Sequence, residues 1–100
     1  MDLVAYLASQ IKWSRKVFGP EYRTGGLIKH IKDELEEIEK DPDDVMEWVD
    51  VIILALDGAW RCGHSPEQIC DALLRKAAIN HERRWPTGIG EDQSVHHLED

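Results

Sequence analysis

Long apolar runs are missing from this sequence, and with them the simplest membrane role: no uninterrupted stretch approaches the roughly 18 residues that a spanning helix needs. Cysteine is scarce too. Cys62 and Cys70 are the two present, without C-x-x-C spacing, which argues against a disulfide framework or a zinc site and leaves two free thiols. Positive charge is the third shortage. Twelve Lys and Arg stand against twenty Asp and Glu, a formal net charge of -8. That balance opposes docking on a phosphate backbone, because nucleic-acid affinity comes largely from clustered cations displacing counterions. Met1-Asp2-Leu3 opens acidic and without a small-residue cleavage site, so no secretory signal is expected and a cytoplasmic setting is.

What is present is an ordinary apolar share, 42% of 100 residues. A chain of this size buries only about 60 to 65% of its unfolded surface, so self-association would help to stabilise it. The acids are unevenly placed. Ten of the twenty fall between Asp33 and Asp50, against one base, Lys40, and that density marks either a solvated face or a cation site.

The periodicity is helical throughout. Asp2 is a plausible N-cap for a first helix carrying Leu3, Val4, Leu7 and Ile11 and running to about Val17. Phe18-Gly19-Pro20-Glu21-Tyr22-Arg23-Thr24-Gly25-Gly26 breaks it and forms a loop long enough to cover a pocket. Leu27, Ile28, Ile31, Leu35 and Ile38 define a second helix ending near Lys40. Asp41-Pro42-Asp43-Asp44 reads as the start of a third, with Asp41 as N-cap and proline in the first turn, running to about Cys62 before Gly63. Ser65-Pro66-Glu67-Gln68 reads as a capping box opening a fourth helix to roughly Trp85. The expected fold is all-α, a four-helix bundle.

At about 100° per residue, Glu34 and Glu37 share one flank of the second helix, and Glu34, beside the apolar arc, should be half-buried. The third helix is apolar almost all round and must be buried on most sides. Its later ionisable residues, Glu47, Asp50, Asp57 and Arg61, collapse onto one stripe roughly 80° wide. Two carboxylates on each of two neighbouring helices are costly as bare anions and suit a hard cation that takes oxygen ligands, magnesium or manganese. The alternative is that Glu34 and Glu37 are surface acids while Glu47 and Asp50 pair with lysines; spacing leaves both readings open. Asp57 is read as an i,i+4 ion pair with Arg61 in preference to a further ligand. On the fourth helix Lys76, Asn80 and Arg83 share a face that could hold phosphate oxygens, with Arg84 beside them; a basic helix end favoured by the dipole is the other reading. His30 and His81 are read as surface residues, and the four tryptophans as core.

Taken in order, Glu34-x-x-Glu37, Glu47-x-x-Asp50 and Lys76-x-x-x-Asn80 resemble the metal and phosphate signature of the all-α NTP pyrophosphatase superfamily, the MazG-like enzymes. Phe18-Gly19-Pro20, His30-Ile31-x-x-Glu34-Leu35-x-Glu37-Ile38, Glu47-Trp48-Val49-Asp50-Val51, Leu54-Ala55-Leu56-Asp57-Gly58-Ala59 and Arg84-Trp85-Pro86 are similar, more narrowly, to the phage and bacterial dATP/dGTP pyrophosphohydrolase branch of MazZ type. The likeness covers about residues 17–86. Only nine residues separate Glu37 from Glu47, fewer than in typical MazG proteins, and this short link is the narrower branch's pattern.

The resemblance implies cleavage of a deoxynucleoside triphosphate, dGTP or dATP preferred, between the α and β phosphates by a metal-activated water, giving monophosphate and pyrophosphate. It implies Mg²⁺, with Mn²⁺ possible, held by Glu34, Glu37, Glu47 and Asp50. Glu37 is expected to orient the water or accept its proton, Lys76 and Arg83 to stabilise the leaving group, and Asn80 and Arg84 to bind substrate. Trp13 and Arg23 are expected near the base. Residues 1–86 would form the enzyme domain and 87–100 a loosely held tail, in the host cytoplasm if the chain is phage-encoded. A homo-oligomer is expected, tetramer ahead of dimer, because one protomer's helices cannot cover the third helix, where Trp48, Ile52 and Leu56 form a ridge. The rival readings are a pyrimidine (dCTP or dUTP) pyrophosphatase and a non-catalytic acidic helical adaptor.

Overall fold

The computed structural model describes residues 2–99, which form four α-helices and no strand. Helix α1 spans Leu3–Phe18. Asp2 caps it as expected, accepting from the backbone N–H of Val4 at 2.9 Å and Ala5 at 3.4 Å. Gly19 ends it at a φ of 84°, a left-handed conformation open to glycine.

Helix α2 spans Thr24–Lys40 and begins three residues before the Leu27 expected from periodicity. The N–H of Leu27 already bonds to the carbonyl of Arg23 at 2.8 Å, so Gly25 and Gly26 belong to the first turn and the connecting loop is correspondingly shorter. Helix α3 spans Val45–Arg61, which corrects the expected start at Pro42. Asp41 to Asp44 instead form a turn, closed by the Asp44 N–H on the Asp41 carbonyl at 3.2 Å. Trp48 Nε1 donates to the Pro42 carbonyl at 3.0 Å and holds that turn down. Asp44, in extended conformation, is the true N-cap and accepts from the Met46 N–H at 2.9 Å. The residue types that cap a helix stood at both 41 and 44, and the hydrogen bonding selects the second.

Helix α4 spans Pro66–Glu82. The capping box forms: the Ser65 N–H donates to Gln68 Oε1 at 2.9 Å and the Gln68 N–H to Ser65 Oγ at 3.1 Å. The helix stops three residues short of the expected Trp85, a position before proline that disfavours helical backbone.

Two compact units result, residues 1–70 and 71–100. In the first, α2 and α3 are the most extensively packed pair and α1 also packs on α3. Leu7, Trp60 and Ile69 are buried together, with Leu3, Tyr6, Ile11, Leu56, Ala59 and Cys70 packed round them. Helix α3 is less covered than its composition demands: Trp48 is 52% and Ile52 56% exposed. In the second unit the segment after Pro86, expected to be loosely held, turns back on the residues that follow α4. The Leu98 N–H bonds to the Arg84 carbonyl at 2.6 Å, and His97 meets the edge of Trp85 with ring centroids 6.1 Å apart. No helix of the described residues is long and apolar enough to cross a membrane.

Candidate functional site

Helices α2 and α3 bring three of the four expected carboxylates together. One oxygen from each of Glu34, Glu47 and Asp50 lies within 4.8 Å of the others. Glu34 is half-buried, as its place beside the apolar arc requires, and so is Glu47, while Asp50 is exposed. Three like charges this close destabilise one another. Partial burial comes first, then the charges of Asp44, Asp50, Glu34 and Glu37, in holding the Glu47 carboxyl above its ordinary 4.5. Such a set, oxygen donors alone with anions in excess, matches a hard divalent cation.

Glu37 stands outside this group. It is exposed, with one oxygen 3.5 Å from Lys40 Nζ, yet its charge is still felt at Glu47. His30, read from the sequence as a surface residue, is exposed as expected and also touches the group: its Nε2 is 3.2 Å from Glu34 Oε1. The i,i+4 spacing was the available signal.

His30 also lines a cavity of about 270 Å³ with Gln10, Trp13, Phe18, Arg23 and Asp57. Trp13 and Phe18 meet edge to face, centroids 5.7 Å apart, and the Arg23 guanidinium sits 5.3 Å from the Phe18 ring centre. The two residues expected near a base, Trp13 and Arg23, therefore share one recess, and His30 joins it to the carboxylates. Its volume is close to the lower end of small-molecule sites, about 300 Å³.

Behind the recess lies a network that the sequence only half discloses. Arg61, 5% exposed, donates Nε to Asp57 Oδ2 at 2.7 Å, the ion pair expected from spacing. Its Nη1 also reaches the carbonyls of Gly19 at 2.7 Å and Glu21 at 2.8 Å, and its Nη2 the Ser14 Oγ at 3.1 Å. Ser14 Oγ and Trp60 Nε1 in turn donate to Asp57 Oδ1 at 2.6 and 2.9 Å. Burial pushes the Asp57 carboxyl up, but the bonds from Ser14, Arg61 and Trp60 together with the Arg61 charge outweigh it and hold the group below its ordinary 3.8. The pair thus fastens the loop between α1 and α2 to the end of α3.

The remaining expected residues belong to the second unit. Lys76 and Arg84 are exposed, Asn80 and Arg83 half-buried, and the Asn80 carbonyl accepts from Trp85 Nε1 at 2.7 Å.

Three comparisons bear on this site. The sequence model of the dATP/dGTP pyrophosphohydrolase family matches residues 6–100. A solved structure, the cyanophage S-2L MazG-like pyrophosphohydrolase bound to dGDP and three catalytic Mn²⁺ ions per active site, superposes with a TM-score of 0.73 at 31% identity, covering 99% of this chain and 100% of that one. The Eaa protein of Salmonella phage P22 is 44% identical over 46 residues, 46% of this chain and 14% of its own length; the chain therefore spans only a small part of that relative.

Proposed function

The chain belongs to the dATP/dGTP pyrophosphohydrolase family, and from that premise we propose that it is a divalent-metal-dependent enzyme converting dGTP or dATP to the monophosphate and pyrophosphate. The observation that carries the proposal is the three-carboxylate group of Glu34, Glu47 and Asp50. Its donors fit a hard cation, and the similar cyanophage enzyme binds Mn²⁺; Mg²⁺ is the physiological ion we assign here. When bound, such ions supply charge neutralisation of the triphosphate and an acidified water for attack on the α-phosphorus.

The chain's own groups do the rest. Glu34, Glu47 and Asp50 fix the ligand oxygens, and Glu37, exposed next to them, completes the set as a fourth carboxylate free to orient the attacking water or take its proton. Lys76 and Arg83 stabilise negative charge on the departing pyrophosphate, with Asn80 and Arg84 as substrate contacts. Trp13 and Arg23 form the walls against which the base rests. We assign residues 1–86 to the catalytic domain and 87–100 to its tail. The working protein is a homo-oligomer, tetramer ahead of dimer, closed over the exposed Trp48 and Ile52, and it acts on free nucleotides in the cytoplasm, not on nucleic acid.

The test is pyrophosphate release from each of the eight common nucleoside triphosphates, with Mg²⁺, with Mn²⁺ and with EDTA. Metal-dependent release that is fastest from dGTP or dATP is expected. Preference for dCTP or dUTP would assign a pyrimidine enzyme, orthophosphate as product would move the cleavage to the β-γ bond, and no release from any of the eight would leave an acidic adaptor.

A further inference from the structure

The recess of Trp13 and Arg23 uses most of its hydrogen-bonding groups on the protein itself. Ser14 Oγ donates to Asp57 and accepts from Arg61, and both oxygens of Asp57 are taken, by Ser14, Trp60 and Arg61. His30 turns its Nε2 to Glu34, and Trp13 and Arg23 carry donors only. Gln10 differs. It lines the recess, half-buried, one turn before Trp13 and Ser14 on the same face of α1. Its amide sets a carbonyl beside an NH₂, and neither has a hydrogen-bond partner among the described residues. The amide is not sealed in either, since no unpartnered side-chain nitrogen or oxygen is fully buried. Next to it stands open aromatic surface: Phe18 already carries the Arg23 guanidinium, whereas Trp13 is 52% exposed.

We propose that Gln10 is the residue that reads the base, and that its amide serves both purines by turning over. This rests on the proposed reading of the enzyme as one for dGTP or dATP, the two substrates for which the family is named. Those bases present opposite edges. Adenine sets its 6-amino donor beside the ring acceptor N1, and guanine sets its 6-oxo acceptor beside the ring donor N1–H. A carboxylate offers acceptors alone and a guanidinium donors alone, so each suits one base over the other. A primary amide has one of each, and its terminal torsion is broad and two-fold, so a half-turn exchanges oxygen and nitrogen. In one orientation Gln10 accepts from the adenine amino group and donates to N1; in the other it donates to the guanine oxygen and accepts from N1–H. With no protein partner on the amide, neither orientation is selected in advance. Pyrimidine edges carry the same two patterns, so the amide sets tolerance between adenine and guanine, while the larger purine ring is favoured by its contact with Trp13.

The experiment measures kcat/KM for dGTP and dATP by pyrophosphate release, with Mg²⁺ or Mn²⁺, in the full unaltered chain, in Gln10→Glu and in Gln10→Leu. Gln10→Glu leaves acceptors only: guanine, with N1–H and a 2-amino group, matches them, while adenine N1 meets an acceptor. The dGTP to dATP ratio should rise by about tenfold or more. Being a ratio, it cancels whatever the added charge does to the triphosphate or the metal. Gln10→Leu, checked for helix content by circular dichroism, should lower kcat/KM for both purines by a similar factor, through KM more than kcat, as lost binding does. It should also erase the advantage of dATP over 2′-deoxyribosylpurine triphosphate, which lacks the 6-amino group. A ratio unmoved by Gln10→Glu, or Gln10→Leu turning over both substrates like the unaltered chain, would overturn the assignment of Gln10 and leave the enzyme standing. No turnover of either purine by the unaltered chain would remove the proposed function, and this inference with it.

Discussion

Arg61 and Asp57 stand one helical turn apart on α3, joined Nε to Oδ2 at 2.7 Å, and between them they hold Ser14 and two carbonyls of the loop that follows α1. The pair acts across the fold. It couples the end of one helix to the exit of another, forty-odd residues away in sequence.

Removing one partner of so buried a pair leaves the other without compensation. Asp57→Ala is expected to destabilise by about 3 to 5 kcal/mol, a large share of the stability of so small a domain. Urea unfolding followed by circular dichroism measures this; a midpoint equal to that of the unaltered chain would show that the network is structurally idle.

Acid should dissolve the same contribution. Because Asp57 is held below its ordinary 3.8, the folded chain binds that proton more weakly than the unfolded one. The stabilisation is complete above 3.8 and is lost as pH falls through the depressed folded value. Asp57→Asn should therefore differ most from the unaltered chain near neutrality and converge with it in strong acid. A constant gap across the acid range in thermal melts would contradict this.

Crowded carboxylates predict a trade between stability and activity. With one oxygen each of Glu34, Glu47 and Asp50 inside 4.8 Å, Glu47→Gln relieves repulsion and should raise the melting temperature in EDTA by a few degrees, while abolishing turnover. Lower stability in EDTA would mean that the acids are paired in some way the geometry does not disclose.

Divalent ions should invert that order. A ligand that binds only the folded state adds about 2.7 kcal/mol at a hundred times its dissociation constant. Mg²⁺ or Mn²⁺ should stabilise the unaltered chain progressively and leave Glu47→Gln/Asp50→Asn unmoved. Equal stabilisation of both would place the ions elsewhere.

The open ridge of α3 makes a claim about mass. Sedimentation equilibrium at micromolar concentration should give a multiple of 11.5 kDa, and Trp48→Asp/Ile52→Asp should reduce it. A clean monomer before substitution would refute the assigned oligomer.

Local rules made much of this legible in the sequence. The Asp2 cap, the Ser65–Gln68 box, the half-burial of Glu34 and the Asp57–Arg61 pair all follow from spacings of two to four residues, which a helix converts directly into contact. What distance in sequence separates was not legible. Nothing in Ser14 or Gly19 announces a meeting with Arg61, because that depends on the packing of α1 on α3. The choice between Asp41 and Asp44 as cap turned on which of them meets the N–H of Met46, and residue type does not tell the two apart. Glu37 shares its helix flank with Glu34, but Lys40 within one turn offers it a partner in solvent. The five histidines show no ligand spacing, so His30 reads as a surface residue, which it is; its contact with Glu34 is the part that i,i+4 spacing alone does not single out.

The grip of Arg61 on the carbonyls of Gly19 and Glu21 also sets a clock. The residues between α1 and α2 have no ladder of their own, and such connectors ordinarily open at almost no cost. Here the connector can lift away only if a buried guanidinium gives up its acceptors, so its slowest fluctuations belong to the same cooperative unit as the end of α3. On the proposed reading, a base entering the recess beside it would meet walls held from behind by this network, not a loop that must first be ordered.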